Sequence, residues 1–191
     1  MNAANTITVF RLVAIPPFVF SAWQGTTPGS PPWTGGLAFG LFVAAGVSDM
    51  IDGWVARHFG QVTPLGRVLD PLADKLLSLA CLLLLARPID GGLFTRLPVW
   101  FGAVVIARDV WLGGGSWLIW KWRGPFRVEP HASGKITTLL LFLLYSLCLL
   151  GLPRPPVRIL MVLATIGIVV SGFLYTQDGL RHWARPVEPP S

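Results

Sequence analysis

Apolar residues in this chain are gathered into long runs, each bounded by glycine, proline or charged residues. A run of about 20 apolar residues is long enough to cross the ~30 Å hydrocarbon core of a bilayer as a helix. The runs predict six helices, near residues 5–23, 33–58, 66–87, 97–121, 132–151 and 154–176. The pattern therefore predicts an all-α, polytopic membrane protein with six transmembrane helices, one domain over residues 1–191 and a disordered, proline-rich tail at about 186–191.

The amino-acid composition agrees with a membrane protein and indicates which molecules the chain could bind. Of the 191 residues, 53% are hydrophobic and only 13% are charged, which argues against a water-soluble globule. The formal net charge of +6 suits anionic lipid or a phosphorylated substrate, and in a membrane-embedded chain both are favoured over nucleic acid. Cys81 and Cys148 stand alone in separate apolar runs, so we expect neither a disulfide framework nor a zinc site.

Basic residues are distributed unevenly over the predicted connections. Most lie in the second connection, the fourth connection and the tail: Arg57, Arg67, Lys121, Arg123, Arg127, Lys135, Arg181 and Arg185. Because positively charged loops stay in the cytoplasm, this distribution predicts that both termini are cytoplasmic. The first apolar run has no basic region ahead of it, so we expect no cleaved signal peptide and a bacterial inner (plasma) membrane location.

Four of the nine acidic residues lie around the second predicted connection: Asp49, Asp52, Asp70 and Asp74. At about 100° per residue, the first two share one stripe of the second helix and the last two share one stripe of the third. We expect the stripes to meet across a short cytoplasmic hairpin, with each aspartate roughly 6 to 14 Å inside its helix end. That depth predicts a cavity at the cytoplasmic headgroup level.

Carboxylates gathered near a membrane repel one another and are costly to desolvate, so positive charge is expected among them. Two divalent cations would neutralise them, and an all-oxygen ligand set favours Mg²⁺ or Mn²⁺ over zinc. Gly53, Ala56 and Gly66 share the same stripes and would let a bulky ligand approach the backbone, while Arg57 could reach a phosphate. The alternative is a salt-bridge collar in which the acids pair with three basic neighbours, Arg57, Arg67 and Lys75.

The spacing of these residues resembles the signature of one enzyme family. The order Asp49-xx-Asp52-Gly53-xx-Ala56-Arg57, eight residues, then Gly66-xxx-Asp70-xxx-Asp74 is similar to that of the CDP-alcohol phosphatidyltransferases. The resemblance implies an integral-membrane enzyme, usually a homodimer, that transfers a phosphatidyl group from CDP-diacylglycerol to an alcohol and releases CMP. It also implies that the four aspartates hold two metal ions and that the cytidine and pyrophosphate site is lined by Gly53, Ala56, Arg57 and Gly66.

The chemistry of such a transfer fits the residues present. An acceptor hydroxyl is a poor nucleophile, so a carboxylate within hydrogen-bond reach must take its proton as it attacks phosphorus. Asp74, the last acid on its stripe, is the best candidate for this general base, and the resemblance implies the same role.

Arg108 is the leading candidate for binding the acceptor, because a guanidinium near the middle of the fourth predicted span is costly unless it faces a cavity or a partner. Asp109 should point about 100° away along the helix, so we do not expect the two to pair. Lys135 could join Arg108 around an anionic acceptor, and Arg11 is a weaker third candidate. The N-terminal segment, with Pro16 and Pro17 following Arg11, is similar to that of members that make phosphatidylglycerophosphate or cardiolipin.

These residues favour glycerol 3-phosphate as the acceptor, giving phosphatidylglycerophosphate. Phosphatidylglycerol, as in a cardiolipin synthase, is the nearest alternative, and inositol phosphate or serine stay open. A divalent-cation transporter would also use acidic residues, but its site would more naturally lie near the midplane between broken helices of an inverted repeat. The acids here cluster on one side, and we find no repeat.

Overall fold

Six helices form the described part of the chain, and it contains no strand, which confirms the all-α prediction. The computed structural model describes residues 3–59, 66–87, 91–123 and 132–184, with side chains at 11–48, 72–87, 91–122, 132–181 and 183. The helices are α1 Ala3–Gly25, α2 Pro32–Phe59, α3 Gly66–Leu85, α4 Val99–Arg123, α5 Ala132–Leu149 and α6 Arg154–Ala184. The predicted tail at 186–191 lies outside the described residues.

Most helix ends agree closely with the apolar runs, but α6 extends to Ala184 rather than ending near 176. Its last turns are polar, and Asp178 and Arg181 lie one turn apart with Oδ1 and Nη1 at 4.0 Å. Apolarity stops where a helix leaves the apolar environment, whereas helical hydrogen bonding can continue beyond it. The end of an apolar run therefore underestimates the length of this helix.

Within the described residues, two helical segments are long and apolar enough to cross a membrane, Ala132–Leu149 and Arg154–Arg181. Pro32–Ser48 is apolar but shorter. The third helix is less apolar because its first half carries Arg67, Asp70, Asp74 and Lys75. The structure thus supports membrane-crossing helices at α5 and α6, and the count of six spans stays a prediction.

The chain divides into two compact units, and the first consists of Met1–Val99 and Phe142–Val157. In unit 1, α1 packs against both α2 and α3. Phe42 is the centre of an aromatic cluster, with its ring centroid 5.9 Å from that of Phe18 and 5.2 Å from that of Phe142. Gly46 allows this packing, because a Cβ at that position would overlap the Phe142 ring.

The segment between α3 and α4 is hydrogen-bonded to three helices of unit 1. Three of its backbone amides donate hydrogen bonds to carbonyls of α1, α5 and α3, with N···O distances of 2.8, 2.9 and 3.0 Å from Leu93, Thr95 and Leu97. Arg87 donates a 2.9 Å hydrogen bond to Thr26 and lies over the Trp23 ring, 3.6 Å from its centroid. This arginine is therefore engaged in packing within unit 1.

Unit 2 consists of Trp100–Leu141 and Arg158–Ser191 and contains α4, the first half of α5 and nearly all of α6. Gly167 of α6 lies against α5, where an added Cβ would come within 2.8 Å of the Thr137 hydroxyl oxygen. Side chains of α4 donate hydrogen bonds to hydroxyls of α6 at two places. Helix α6 therefore packs against both α4 and α5.

Candidate active site

The four aspartates lie on two continuous helices, as the sequence predicts. Asp49 and Asp52 are three residues apart in α2, and Asp70 and Asp74 are four apart in α3. Positions three and four apart in a helix share one face, so the backbone provides the register that the motif requires. In the described residues α2 and α3 contact each other at few positions.

Side chains of most of the motif lie outside the described residues: those of Asp49, Asp52, Ala56, Arg57 and Asp70. For these and for Gly53 and Gly66 the structure gives only the helical backbone, so their roles in binding metal or nucleotide stay predictions. The described side chains contain no cluster of three or more histidine, cysteine, aspartate or glutamate residues.

Asp74 is the acid of the motif whose side chain is described, and it is half-buried on α3. Its neighbours along the chain differ sharply, because Ala73 is fully buried and Lys75 is exposed. Asp74 therefore lies at the border between the packed and exposed faces of the helix.

Arg108 makes two polar contacts in unit 2. Its Nη1 donates a 2.8 Å hydrogen bond to Oδ1 of Asp109, and its Nη2 donates a 3.2 Å hydrogen bond to the hydroxyl oxygen of Ser171 on α6. The Arg108 side chain is only 13% exposed, and Ser171 is fully buried. The guanidinium is thus held between α4 and α6.

The expectation that Arg108 and Asp109 do not pair is wrong. Their Cβ atoms do diverge along the helix, but adjacent Cα atoms are only about 3.8 Å apart and the long arginine side chain can turn back to its neighbour. Partial burial also strengthens the attraction between the two charges. Whether the two residues pair therefore depends more on the length of the arginine side chain than on the direction of the Cβ atoms.

Arg108 keeps hydrogen-bonding capacity beyond these two contacts. A guanidinium has five N–H donors, and the two hydrogen bonds use one on each terminal nitrogen. Its Nε is buried and has no hydrogen-bond partner among the described residues. A buried donor without a partner is costly, so this nitrogen is an unexplained polar group within unit 2.

The two other candidate basic residues differ strongly in exposure. Arg11 is 1% exposed and is among the largest fully buried side chains, on α1 of unit 1. Lys135 is exposed in the first turn of α5 in unit 2. Lys135 is therefore accessible to a soluble or lipid anion, whereas Arg11 is enclosed by the fold.

A comparison with known families identifies the family of the chain. The model of the CDP-alcohol phosphatidyltransferase family matches residues 1–173. The chain belongs to the CDP-alcohol phosphatidyltransferase family. The match includes every candidate residue named above, from Arg11 through the aspartate motif to Arg108 and Lys135.

Two relatives in this CDP-alcohol phosphatidyltransferase family are named for different acceptors. The chain is 37% identical over 110 residues to the CDP-diacylglycerol--glycerol-3-phosphate 3-phosphatidyltransferase of Pseudomonas fluorescens, covering 58% of this chain and 52% of that protein. It is 36% identical over 114 residues to the cardiolipin synthase (CMP-forming) of Streptomyces coelicolor, covering 59% of this chain and 48% of that protein. The chain therefore spans about half the length of these curated relatives.

Ser171 is a polar partner of Arg108 that reasoning from the sequence missed. It lies 63 residues from Arg108, so no helical spacing connects the two. The feature of the sequence that could have drawn attention to Ser171 is its hydroxyl within an apolar run, between Val170 and Gly172. Polar side chains in such runs commonly hydrogen-bond across helices, although the partner cannot be identified from one sequence.

Proposed function

We propose that the chain is an integral-membrane enzyme that transfers a phosphatidyl group from CDP-diacylglycerol to the hydroxyl of glycerol 3-phosphate, giving phosphatidylglycerophosphate and CMP. The observation that carries the proposal is the register of four aspartates on two continuous helices in a chain of this family. The Pseudomonas fluorescens relative, named for the same reaction, supports the choice of acceptor.

Asp74 would serve as the general base. The acceptor hydroxyl gives its proton to the carboxylate as its oxygen bonds to the phosphorus that carries the diacylglycerol. The bond between the two phosphates of CDP-diacylglycerol breaks, and CMP leaves with the bonding electrons. The half-buried position of Asp74 on α3 supports this role, because its side chain is partly accessible.

The donor set of the motif fits divalent cations. Four carboxylates supply oxygen ligands only, which suits two Mg²⁺ or Mn²⁺ ions held by Asp49, Asp52, Asp70 and Asp74. When bound, such ions would offset the charge of the pyrophosphate and of the leaving CMP. Gly53, Ala56 and Gly66 would leave room for the cytidine and pyrophosphate beside the backbone, and Arg57 would bind a phosphate.

Three basic residues would select an anionic acceptor. Arg108 is largely buried, held from two sides, and retains unused donors. Lys135 is exposed and would add positive charge that attracts an anion. Arg11 is enclosed, and its contribution would be smaller. A phosphate monoester such as glycerol 3-phosphate matches the fork of donors that arginine presents.

A second candidate acceptor is phosphatidylglycerol, which would make the enzyme a cardiolipin synthase. The Streptomyces coelicolor relative carries that name at nearly the same identity, and phosphatidylglycerol also has a phosphate for Arg108 to bind. The two candidates share the donor substrate and differ only in the acceptor.

The membrane arrangement that accompanies this proposal has six spans, an active site on the cytoplasmic side and both termini in the cytoplasm of a bacterial inner membrane. The apolar character of α5 and α6 and the clustering of basic residues in alternate connections support it. Family resemblance further supports a homodimer.

CMP release by the detergent-purified full chain tests the proposal. CDP-diacylglycerol and Mg²⁺ are supplied with glycerol 3-phosphate, phosphatidylglycerol, inositol phosphate or serine separately, and each reaction is repeated with EDTA. We expect EDTA-sensitive release with glycerol 3-phosphate. Release with phosphatidylglycerol alone would favour the second candidate, and metal uptake by proteoliposomes without any CMP release would instead indicate a transporter.

A further inference from the structure

Ser171 differs from most of the other serine and threonine residues described on α5 and α6. Five of those donate a hydrogen bond to the carbonyl four residues earlier in their own helix: Thr137, Thr138, Ser146, Thr165 and Thr176. The Ser171 hydroxyl oxygen instead accepts a hydrogen bond from Arg108 on α4, in a fully buried position. Its contact is therefore directed to a charged group on another helix.

The two contacts of Arg108 hold opposite parts of its guanidinium group. Asp109 accepts from Nη1 on the same helix, and Ser171 accepts from Nη2 across to α6. An arginine side chain has many rotamers, and fixing it before a ligand arrives removes that ordering cost from the binding step. The buried Nε donates to no described group.

A second hydrogen bond between α4 and α6 involves no charged side chain. Trp111 Nε1 donates a 3.0 Å hydrogen bond to the Thr176 hydroxyl oxygen, linking the same two helices farther along α6. That second link involves neither Arg108 nor Asp109. It provides a comparison, an α4–α6 hydrogen bond in which no charged group takes part.

We propose that Ser171 is a positioning residue that holds Arg108 in the orientation needed to bind the phosphate of the acceptor. This inference rests on the proposed function, because it assigns Ser171 to the acceptor-binding step of the same reaction. Asp109 balances the charge of the arginine, and Ser171 fixes the plane of the guanidinium group.

The test compares Ser171→Ala with Thr176→Val in the purified full chain. We expect Ser171→Ala to raise the KM for glycerol 3-phosphate by about tenfold, as for loss of one hydrogen bond to a charged group, with kcat and the KM for CDP-diacylglycerol within about twofold of wild type. Thr176→Val removes the other α4–α6 hydrogen bond and should leave all three constants unchanged. Equal effects of the two variants would overturn the inference.

Two further variants separate hydrogen bonding from packing and from the role of Arg108 itself. Ser171→Cys keeps the shape of the side chain but replaces the oxygen by a larger sulfur, which is a weaker acceptor, and should behave like Ser171→Ala; a wild-type KM would overturn the inference. Arg108→Gln should raise the KM for glycerol 3-phosphate more than Ser171→Ala does, and adding Ser171→Ala to it should have little further effect, because residues that act through one contact are not additive.

The failure of the inference differs from the failure of the proposed function. A raised acceptor KM in Arg108→Gln with a wild-type value in Ser171→Ala overturns only the positioning role. Wild-type acceptor KM in both variants overturns acceptor binding by Arg108 as well. Calorimetric binding of glycerol 3-phosphate without CDP-diacylglycerol gives the same comparison where turnover is absent, and equal affinity of wild type and Ser171→Ala would overturn the inference.

Discussion

The acidic and basic residues proposed to take part in the reaction belong to different units of the chain. The four aspartates lie on α2 and α3 in unit 1, whereas Arg108 and Ser171 contact each other between α4 and α6 in unit 2. Carboxylates suit metal binding and proton removal, which any acceptor alcohol would require. A held guanidinium suits only acceptors that carry an anion. We therefore expect substitutions in unit 1 to change the rate of transfer and those in unit 2 to change the acceptor.

The largest effect should come from Asp74→Asn. The amide cannot take a proton from the acceptor hydroxyl, so kcat should fall by about 10²- to 10⁴-fold. Steady-state CMP release measures the change, with metal binding followed separately. Asp178→Asn, which changes a half-buried carboxylate on α6, is the matched control and should keep its activity. Undiminished kcat in Asp74→Asn would exclude Asp74 as the base.

Arg108→Gln, in unit 2, should change the binding of the acceptor and not the binding of CDP-diacylglycerol. Loss of a largely buried cationic donor should raise the KM for glycerol 3-phosphate by about 30- to 100-fold, because hydrogen bonds to charged groups are worth ~2 kcal/mol or more. The KM for CDP-diacylglycerol should stay near its wild-type value. A parallel rise in both KM values would contradict the separation of the two roles.

Gly46→Ala should affect the stability of unit 1 and leave acceptor choice unchanged. The added Cβ would overlap the Phe142 ring, and overpacking of this kind costs about 1–3 kcal/mol. Thermal unfolding of the purified protein measures the loss. Gly40→Ala is the control on the same helix, because a Cβ there meets nothing within 4 Å. Equal unfolding temperatures for the two variants would argue against the described packing.

The smallest effect should come from Lys135→Ala. Because this side chain is exposed, its interaction with an anion is screened by water and should be worth ~0.2–1 kcal/mol, equivalent to an acceptor KM raised by about two- to fivefold at most. The change should shrink as salt is added to the assay. An effect as large as that of Arg108→Gln would place Lys135, rather than Arg108, at the centre of acceptor binding.

The helices and the register of the aspartates could be predicted because both are local. Apolar runs locate helices directly, and residues three or four apart share a face whatever the rest of the fold does. The end of α6 could not be located in this way, because its last turns are polar and still helical. Helix length there depends on backbone hydrogen bonds that continue past the apolar run.

The surroundings of Arg108 were harder to predict because they depend on side-chain reach and on distant packing. Its pairing with Asp109 requires a rotamer that helical angles alone do not indicate. Its contact with Ser171 requires α6 to pack against α4, and 63 residues separate the partners. A single sequence identified the buried charge correctly and could not identify what holds it.

The most direct test of the proposed reaction is identification of its lipid product. Purified full-length protein is incubated with CDP-diacylglycerol, glycerol 3-phosphate and Mg²⁺, and the extracted lipid is analysed by mass spectrometry beside an Asp74→Asn sample. We expect phosphatidylglycerophosphate in the wild-type reaction, in amounts equal to the CMP released, and almost none with the variant. CMP release without phosphatidylglycerophosphate, or equal product from both proteins, would contradict the proposal.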